Sequence, residues 1–586
     1  MTFKVRLFSF VCLSTLLAGG TLTAAEITAV NIYPAQFELA GRRNTQNFIV
    51  VATRDDGVTI DLTELANIKL DVEGVVQREG NSMKPVKDGQ AKLIVEYEGR
   101  TVEAAINVAT AEADPAISFH NDVMPVFLRS GCNTGSCHGA ARGKDGFMLS
   151  LFGYDPAGDH HRITREIGFR RINLAIPAES LLLTKSIGAV PHTGGKRFGK
   201  EDPMYGTLLR WLNEGAQIDQ GEVPKVTKVE LFPPQAVLEG EGTTQQFIAL
   251  AHYSDGATRD VTNLAMFTSN NDNSAPIDAA GKVTAAARGE AFVMARFDTH
   301  TVGSQVLVLP KDLQYTAPAI SGNYVDELVG QKLTKLRMLP SELCSDEEFL
   351  RRATVDITGL LPTPEEYEAF IADASPDKRA KLVTQLLDRK EFSEIWAMKW
   401  SELLMVKSSN QVSYKSMFLY SSWLTDQIAN NVPLDQMVRD LLSASGGTFR
   451  NPQTNFYQIE RDTLKTAENV AQVFMGIRTQ CAQCHNHPFD RWTMDDYYSF
   501  SVFFSLICLK NGEDYRETII YDRRSGDVRH PVGNRVMEPK FLGGDVADVK
   551  GKDRRAIVAD WLTAPDNPFF AKNVANRVWN QFFGQG

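Results

Sequence analysis

Long apolar runs, basic blocks and familiar catalytic signatures are missing from most of this chain. After the first 25 residues no stretch approaches the roughly 20 apolar residues of a membrane-spanning helix, so no transmembrane segment is expected in the mature protein. Lysine and arginine form no strongly basic block, and a formal charge of -10 with a pI near 5.6 argues against a nucleic-acid partner. Gly-x-Ser-x-Gly, His-Glu-x-x-His and phosphate-binding glycine loops do not occur. Cysteine is scarce, at 7 of 586 residues, so its positions carry much of the chemical information.

What is present begins with an export signal. Lys4 and Arg6 form a charged start, Leu7 to Leu17 an apolar core, and Thr23-Ala24-Ala25 a small-residue cleavage site. Residues 1–25 are therefore expected to be removed, and Cys12 with them, since no lipoprotein-type small residues precede it. The remainder is expected to be exported, periplasmic or at the cell surface. Its 43% hydrophobic and 23% charged residues are those of globular protein, and the length suits about four domains.

Four of the six remaining cysteines belong to two sites that end in Cys-His. Cys481-Ala482-Gln483-Cys484-His485 has the spacing of a c-type haem attachment site. Each thiol adds across one vinyl group, and His485 is then held under the iron as its proximal ligand. Cys132-Asn133-Thr134-Gly135-Ser136-Cys137-His138 is a looser version, with four residues between the thiols. An exported chain also permits disulfides, and a local bridge is the rival reading at Cys132–Cys137. At Cys481–Cys484 the rivals are a bridge, a thiol-disulfide redox motif and a zinc site. A disulfide has no use for the following histidine, a redox motif wants a βαβ context, and zinc needs a fourth ligand. Cys344 and Cys508 stand outside both sites.

Residues 26–110 carry short alternating runs, such as Asn47 to Ala52, between Gly, Asp and Asn turns, a pattern that predicts an all-β sandwich. The pattern recurs over 225–310. Pro34, Gln46, Phe48, Asp61 and Thr63 match Pro233, Gln245, Phe247, Asp260 and Thr262 at a constant offset of 199. Both copies resemble the bacterial Ig-like group 2 domain, which implies a spacer first and a module for cell-surface or polysaccharide contact second. Turn chemistry accounts for the Asp-Gly turns better than calcium does.

Residues 115–220 lie between the copies. A helix-compatible stretch (Val123 to Leu128) precedes Cys132, and Tyr205 to Ala216 has helical apolar spacing with a Gly stop. This insert resembles the small cytochromes c. In that family the second axial ligand follows a Pro-x-x-Ser-Leu-Leu segment, here Pro177 to Leu182. The resemblance therefore implies His192 as the ligand opposite His138, giving a bis-His haem of lower potential. Met148, Met204, His160 and His161 compete, the two histidines being expected in a solvated loop.

Residues 320–520 read as helical. Ser345 and Glu348 form a capping box, Pro364 opens a second helix, and Ser375-Pro376 caps a third that runs through Leu387. Asp346, Glu347, Arg351 and Arg352 are expected on a solvated face, and Asp55-Asp56 and Asp495-Asp496 to be merely hydrated. Phe349 to Glu366 and Cys481 to Phe500 resemble the planctomycete-type cytochrome c proteins, whose domains are labelled as being of unknown function. His530 to Val532, Pro539 to Gly544 and Asn567 to Gly586 resemble the start of that family's following domain, which sets a division at 521–586. Family members continue past this point, and a helix ending at Phe583 is expected to lack packing partners. For the Cys481 site the distal ligand is His530, Met494 or none. His487, in its Pro488-Phe489 context, suits a propionate or supporting contact.

The expected molecule is thus multidomain: two all-β Ig-like sandwiches, a small α-helical cytochrome c-like insert and a mainly α-helical C-terminal haem domain. It would hold one or two covalent haems c on Cys132, Cys137, Cys481 and Cys484, with His138, His192, His485 and His530 as iron ligands. Electron transfer to an unspecified redox partner protein is the leading function. The alternatives are a periplasmic haem oxidoreductase with an open distal site and an Ig-like surface-binding protein with disulfides at both cysteine pairs.

Overall fold

The computed structural model describes residues 25–140, 142–311, 313, 315–319, 322–487, 490–523 and 525–585. The signal segment, apart from Ala25, and the Pro488-Phe489 context of His487 lie outside the described residues.

Alternation in the first copy places Phe37, Leu39, Phe48, Leu93, Val95 and Ile106 on inward faces, where all are buried. One sheet pairs Ile27–Tyr33, Ile49–Arg54 and Thr59–Asp61 antiparallel. The facing sheet runs Gln36–Ala40, Arg100–Ala109, Gly89–Tyr97 and Asn67–Leu70, its first pair parallel. The second copy repeats this order with Val226–Phe232, Ile248–Tyr253 and Thr258–Asp260, then Gln235–Glu239, His300–Leu309, Gly289–Phe297 and Met266–Ser269. Gly57 and Gly256 hold φ of 84° and 86° at matching turns, a region that favours glycine.

The two copies are packed against each other about a pseudo-two-fold axis, where a spacer reading would leave them as beads on a string. Tyr33 stacks on its own counterpart, Phe232, with ring centroids 5.4 Å apart. Ile49, Val51 and Ile248 close an apolar cluster beside them. Asp61 uses Oδ1 to accept from Thr63 N within its own turn and Oδ2 to accept from Gln246 N of the other copy at 2.9 Å. Asp260 does the same with Thr262 N and, across the interface, with Asn47 N at 2.6 Å. Turn chemistry thus explains one oxygen of each carboxylate, and pairing explains the other.

The insert has a short turn of π-helix, Phe119–Val123, continued by the helix Met124–Arg129, then helices Pro156–Thr164, Leu181–Ser186 and Pro203–Asn213. Its core gathers Phe119, Val123, Phe127, Leu183, Leu208 and Trp211. Arg259 of the second copy donates to Asn121 O and pairs with Asp122, which fixes the insert on that copy.

Among the described residues beyond 323 the chain forms helices and one three-stranded sheet, Gly446–Gly447, Thr518–Asp522 and Ile507–Asn511, which periodicity did not foretell. Ser345 caps the helix Asp346–Thr358, accepting from Glu348 N at 3.2 Å. The third helix starts at Lys378 with Asp377 as its cap, because Ser375 turns back to Asp373 instead. Asp346 pairs with Lys378 and Arg379 at 2.7 Å each, so it ties two helices together where a solvated face was expected. Packing also runs across residue 521: Val558, Ala559 and Leu562 of the helix Arg554–Leu562 share a core with Leu441, Phe474 and Phe504. The final helix, Phe570–Phe583, buries no residue fully, yet it does not lack partners as expected: Phe570 packs on the helical core, and Asn573 and Arg577 donate to Val473 O and Gln472 O.

Removing either cross-copy acceptor leaves a backbone N–H unpaired in the interface, a loss of about 1–3 kcal/mol. Asp61→Ala and Asp260→Ala should therefore lower the thermal midpoint by similar amounts. A neutral result for either one in calorimetry would refute the paired arrangement.

Candidate functional site

The Cys132 site forms where the chain reverses after Arg129. Gly131 takes a φ of 71°, and the main chain folds back so that Cys132 N donates to Phe127 O and His138 N donates to Cys132 O. Both thiols are free, as are those of Cys344, Cys481, Cys484 and Cys508. Ser130 Oγ lies 3.1 Å from Cys132 Sγ, and burial pushes this thiol's pKa up. Arg197 donates to Cys137 Sγ at 3.1 Å.

His138 Nδ1 lies 3.0 Å from the Phe147 carbonyl, and His192 Nδ1 lies 3.1 Å from that of Gly195. A carbonyl only accepts, so each Nδ1 carries a proton, and in the neutral ring Nε2 is the nitrogen that holds the lone pair. The ring centroids are 6.1 Å apart with planes 10° from parallel. Both thiols and both imidazoles line one recess of about 350 Å³. It adjoins a cleft of about 760 Å³ walled by Phe127, Leu149 and Leu182, with Lys144, Arg170 and Lys185 also on its lining. Apolar walls, two imidazole nitrogens and nearby cations are the lining an anionic tetrapyrrole requires. Burial, followed by the proximity of His192 and Lys185, holds His138 below the ordinary imidazole value, which keeps it neutral and able to ligate.

The competing ligands sit elsewhere. His160 is on the helix Pro156–Thr164, not in a solvated loop, because Asp155 caps that helix and Pro156 opens it. Its Nε2 meets the Ala216 carbonyl at 2.8 Å, and its ring packs on Phe119 and Trp211. His161 is on the same helix and exposed. Met204 packs against the insert's core, and Met148 is half-buried.

At the second site, Gln480–Gln483 form a 3-10 turn, and His485 N donates to Cys481 O. Cys481 and Cys484 are exposed, whereas His485 is buried. His485 Nδ1 lies 2.6 Å from the Asn486 carbonyl, so Nε2 again keeps its lone pair. Burial, and then the charge of Arg296, holds this imidazole below its ordinary value. Among the described residues no three of His, Cys, Asp and Glu gather as a metal-binding group, at this site or at the first.

His530 lies behind this site. Its ring packs on Tyr498 at 5.3 Å, and the Tyr498 hydroxyl donates to Gln483 O at 2.8 Å. His530 Nδ1 accepts from Val532 N, and Nε2 lies 3.2 Å from Asp495 Oδ1. His530 borders the motif through Tyr498. Met494 is in the core, its N–H bonded to Asn486 Oδ1. The carboxylates Asp495 and Asp496 are more than hydrated: they pair with Arg535 and Lys540, and so dock the segment that carries His530.

Three residues that sequence reasoning passed over join the two sites. Phe152 N donates to Asn133 O inside the first motif at 3.0 Å, while the Phe152 ring meets the imidazole of His485 in the second, 5.4 Å between centroids. Phe152 holds a left-handed φ of 55°, and Ser150, bonded through both N and Oγ to buried Asp159, fixes the loop that presents it. Tyr154, two residues on, packs into the helical core. The guanidinium of Arg296, from the strand Gly289–Phe297, lies 4.8 Å from the Phe152 ring.

Because His138 and His485 sit below the ordinary value of about 6.5, the unfolded chain takes up their protons more readily than the folded one. Stability of the unloaded chain should be full above that value and fall as the pH drops through it. His138→Gln and His485→Gln should each flatten the fall between pH 7.5 and 5.5 in thermal melts; an unchanged slope would remove the linkage.

Comparison with known proteins adds family matches over the C-terminal half. Residues 324–508 match the family model PSCyt2, a protein of unknown function (DUF1549), and residues 554–586 match PSD1, a protein of unknown function (DUF1553). No curated protein matches the chain. Among solved structures, the S-layer protein SbsC, domains 5-6, is similar at 10% identity with a TM-score of 0.21, over 49% of this chain and 99% of that one. Drosophila OTK, extracellular domains 3-5, is similar at 8% identity with a TM-score of 0.10, over 49% of this chain and 63% of that one. The chain therefore carries a PSCyt2 region and a PSD1 region behind its paired β-sandwiches.

Proposed function

We propose that the protein is an exported two-haem c-type cytochrome that passes electrons between its two Cys-His sites and on to a redox partner protein. The observation that carries this reading is Phe152, whose backbone is bonded to one motif and whose ring rests on the histidine of the other. Two sites that acted separately would have no need of a shared residue. Cys132 and Cys137 would hold one haem, with His138 and His192 as iron ligands, and Cys481 and Cys484 the other, with His485 as proximal ligand. Haem c supplies one-electron redox chemistry when bound. The chain's part is to present two thiols at each site, with Nε2 of His138 and His192 at the first and Nε2 of His485 at the second. The likeness to planctomycete-type cytochromes and bacterial Ig-like group 2 domains supports the same assignment, with the sandwich pair as a scaffold at or near the cell surface.

A second reading has its own observation. Among the described residues His530 meets the motif only by way of Tyr498, which donates to Gln483 O; a Cys481 haem left without a distal ligand by that arrangement would suit a haem oxidoreductase.

A pyridine haemochrome assay after acid-acetone extraction, on protein matured in a host with c-type maturation, should find two retained haems per chain. One would recast Cys132–Cys137 as a disulfide, and none would sink the cytochrome assignment. In the loaded protein His192→Ala should turn one low-spin haem high-spin. A wild-type chain with one haem already high-spin would favour the oxidoreductase.

A further inference from the structure

One stretch of the insert turns apolar side chains to solvent in a way that packing within the chain does not explain. Residues 165–176 form two turns on either side of a buried pair, Arg171 and Ile172. Arg171 pairs with Glu166 at 3.0 Å, donates to the carbonyls of Arg162 and Gly146, and lies over the Phe147 ring, 4.4 Å from its centroid. Asn173 Oδ1 accepts from Ala175 N and Ile176 N, and Asn173 N donates to Ser180 Oγ. Both turns are therefore held in place, and what they hold outward is apolar. Phe169 is 97% exposed, and Ile167, Leu174 and Ile176 are each half exposed. Phe169 also keeps a left-handed φ of 61°, a region that favours glycine.

The free charges beside these side chains are of one sign. Arg165 and Arg170 are exposed and, among the described residues, form no ion pair, whereas the one carboxylate of the segment, Glu166, is taken by Arg171. Ile167 and Arg170 also line the large cleft, where Lys144 and Lys185 add positive charge and Asp145 is the sole acid. Apolar tips flanked by unpaired arginines match a bilayer interface, where hydrocarbon enters the acyl boundary and guanidinium groups meet lipid phosphates. A protein partner would have to supply two apolar recesses at a fixed spacing, each rimmed by acids; a fluid lipid surface takes two separate tips without that fit. A chain of formal charge -10 is repelled by an anionic surface unless a basic face is turned toward it, and this segment supplies one.

We propose that residues 165–176 dock the insert on an anionic phospholipid surface, with Ile167, Phe169, Leu174 and Ile176 entering the interface and Arg165 and Arg170 resting on headgroup phosphates. The contact is peripheral and needs no haem, so it goes beyond the redox reading. Because Ile167 and Arg170 also line the cleft, docking sets that cleft beside the membrane.

The test is flotation of the chain from Glu26 onward with vesicles of phosphatidylcholine, either alone or with about a third of phosphatidylglycerol. Starting at Glu26 keeps the apolar signal segment out of the measurement. The wild-type chain should float with the anionic vesicles and bind far less to the neutral ones. Arg165→Gln and Arg170→Gln should each weaken anionic binding by roughly fivefold, and salt at roughly 1 M should weaken it as well. Phe169→Gly should reduce binding by about tenfold or more while leaving the thermal midpoint equal or higher, because glycine suits the backbone at that position. Leu343→Ser, at a residue 90% exposed in the helical region, should bind like the wild type. No binding to anionic vesicles would overturn the proposal, as would an equal loss with Leu343→Ser. Binding that Phe169→Gly leaves intact would also overturn it, and would mark the surface as purely electrostatic, suited to an acidic protein partner. The haemochrome assay reports on the cytochrome reading separately.

Discussion

The arrangement depends on the wedge made by Phe152. A left-handed backbone at a non-glycine residue costs of order 1 kcal/mol or more, so it persists only where surrounding contacts hold it. Here the constraint comes from Asp159, whose carboxylate takes both the N–H and the hydroxyl of Ser150, and from Gly153, where an added Cβ would stand 2.9 Å from Met124 Cε. The loop cannot relax without losing a buried carboxylate's partners. What the strain secures is position: one aromatic ring lies between the histidine of the second motif and the guanidinium of the second sandwich, while its amide stays bonded within the first motif.

The two motifs themselves were legible from spacing alone, because Cys-His endings are rare in a chain with so few cysteines. The repeat was legible too, since inward-facing residues such as Phe48 and Phe247 recur in register. The pairing of the copies was not. Asp61 and Asp260 announce a turn in the sequence, and nothing local says that the second oxygen of each will reach another domain. Arg296 was invisible for a related reason. Along its strand Ala291, Val293, Ala295 and Phe297 face the core, so alternation puts Arg296 on the outer face, where an arginine attracts no notice. Only the insert and the helical region, packed over that face, bury it. His160 was misplaced by the turn-like run before it, because the same Asp-Pro pair that reads as a loop also caps and opens a helix.

The two sites differ in how completely the chain encloses them. At the first, both imidazoles and both thiols face one recess, and each Nδ1 is tied to a main-chain carbonyl, the arrangement that fixes a histidine's tautomer before any metal arrives. At the second, the histidine is covered while the thiols are open, and the cation beside it is unpaired. One site is organised around its ligands, the other around the aromatic ring that covers its histidine.

The pseudo-two-fold interface has a topological consequence. The insert leaves the first sandwich and enters the second, so when the two copies clasp, the chain between them becomes a closed ring of more than 100 residues. Arg43 and Arg210 both pair with Asp114, and so join the first copy, the start of the insert and its last helix at the neck of the ring. Closing so long a loop carries an entropic cost that grows only logarithmically with its length, so the clasp can tolerate a variable insert. The sandwiches thus act as a buckle, and the insert as a bezel mounted on it, with its rim, and the wedge that projects from it, held in place by the clasp.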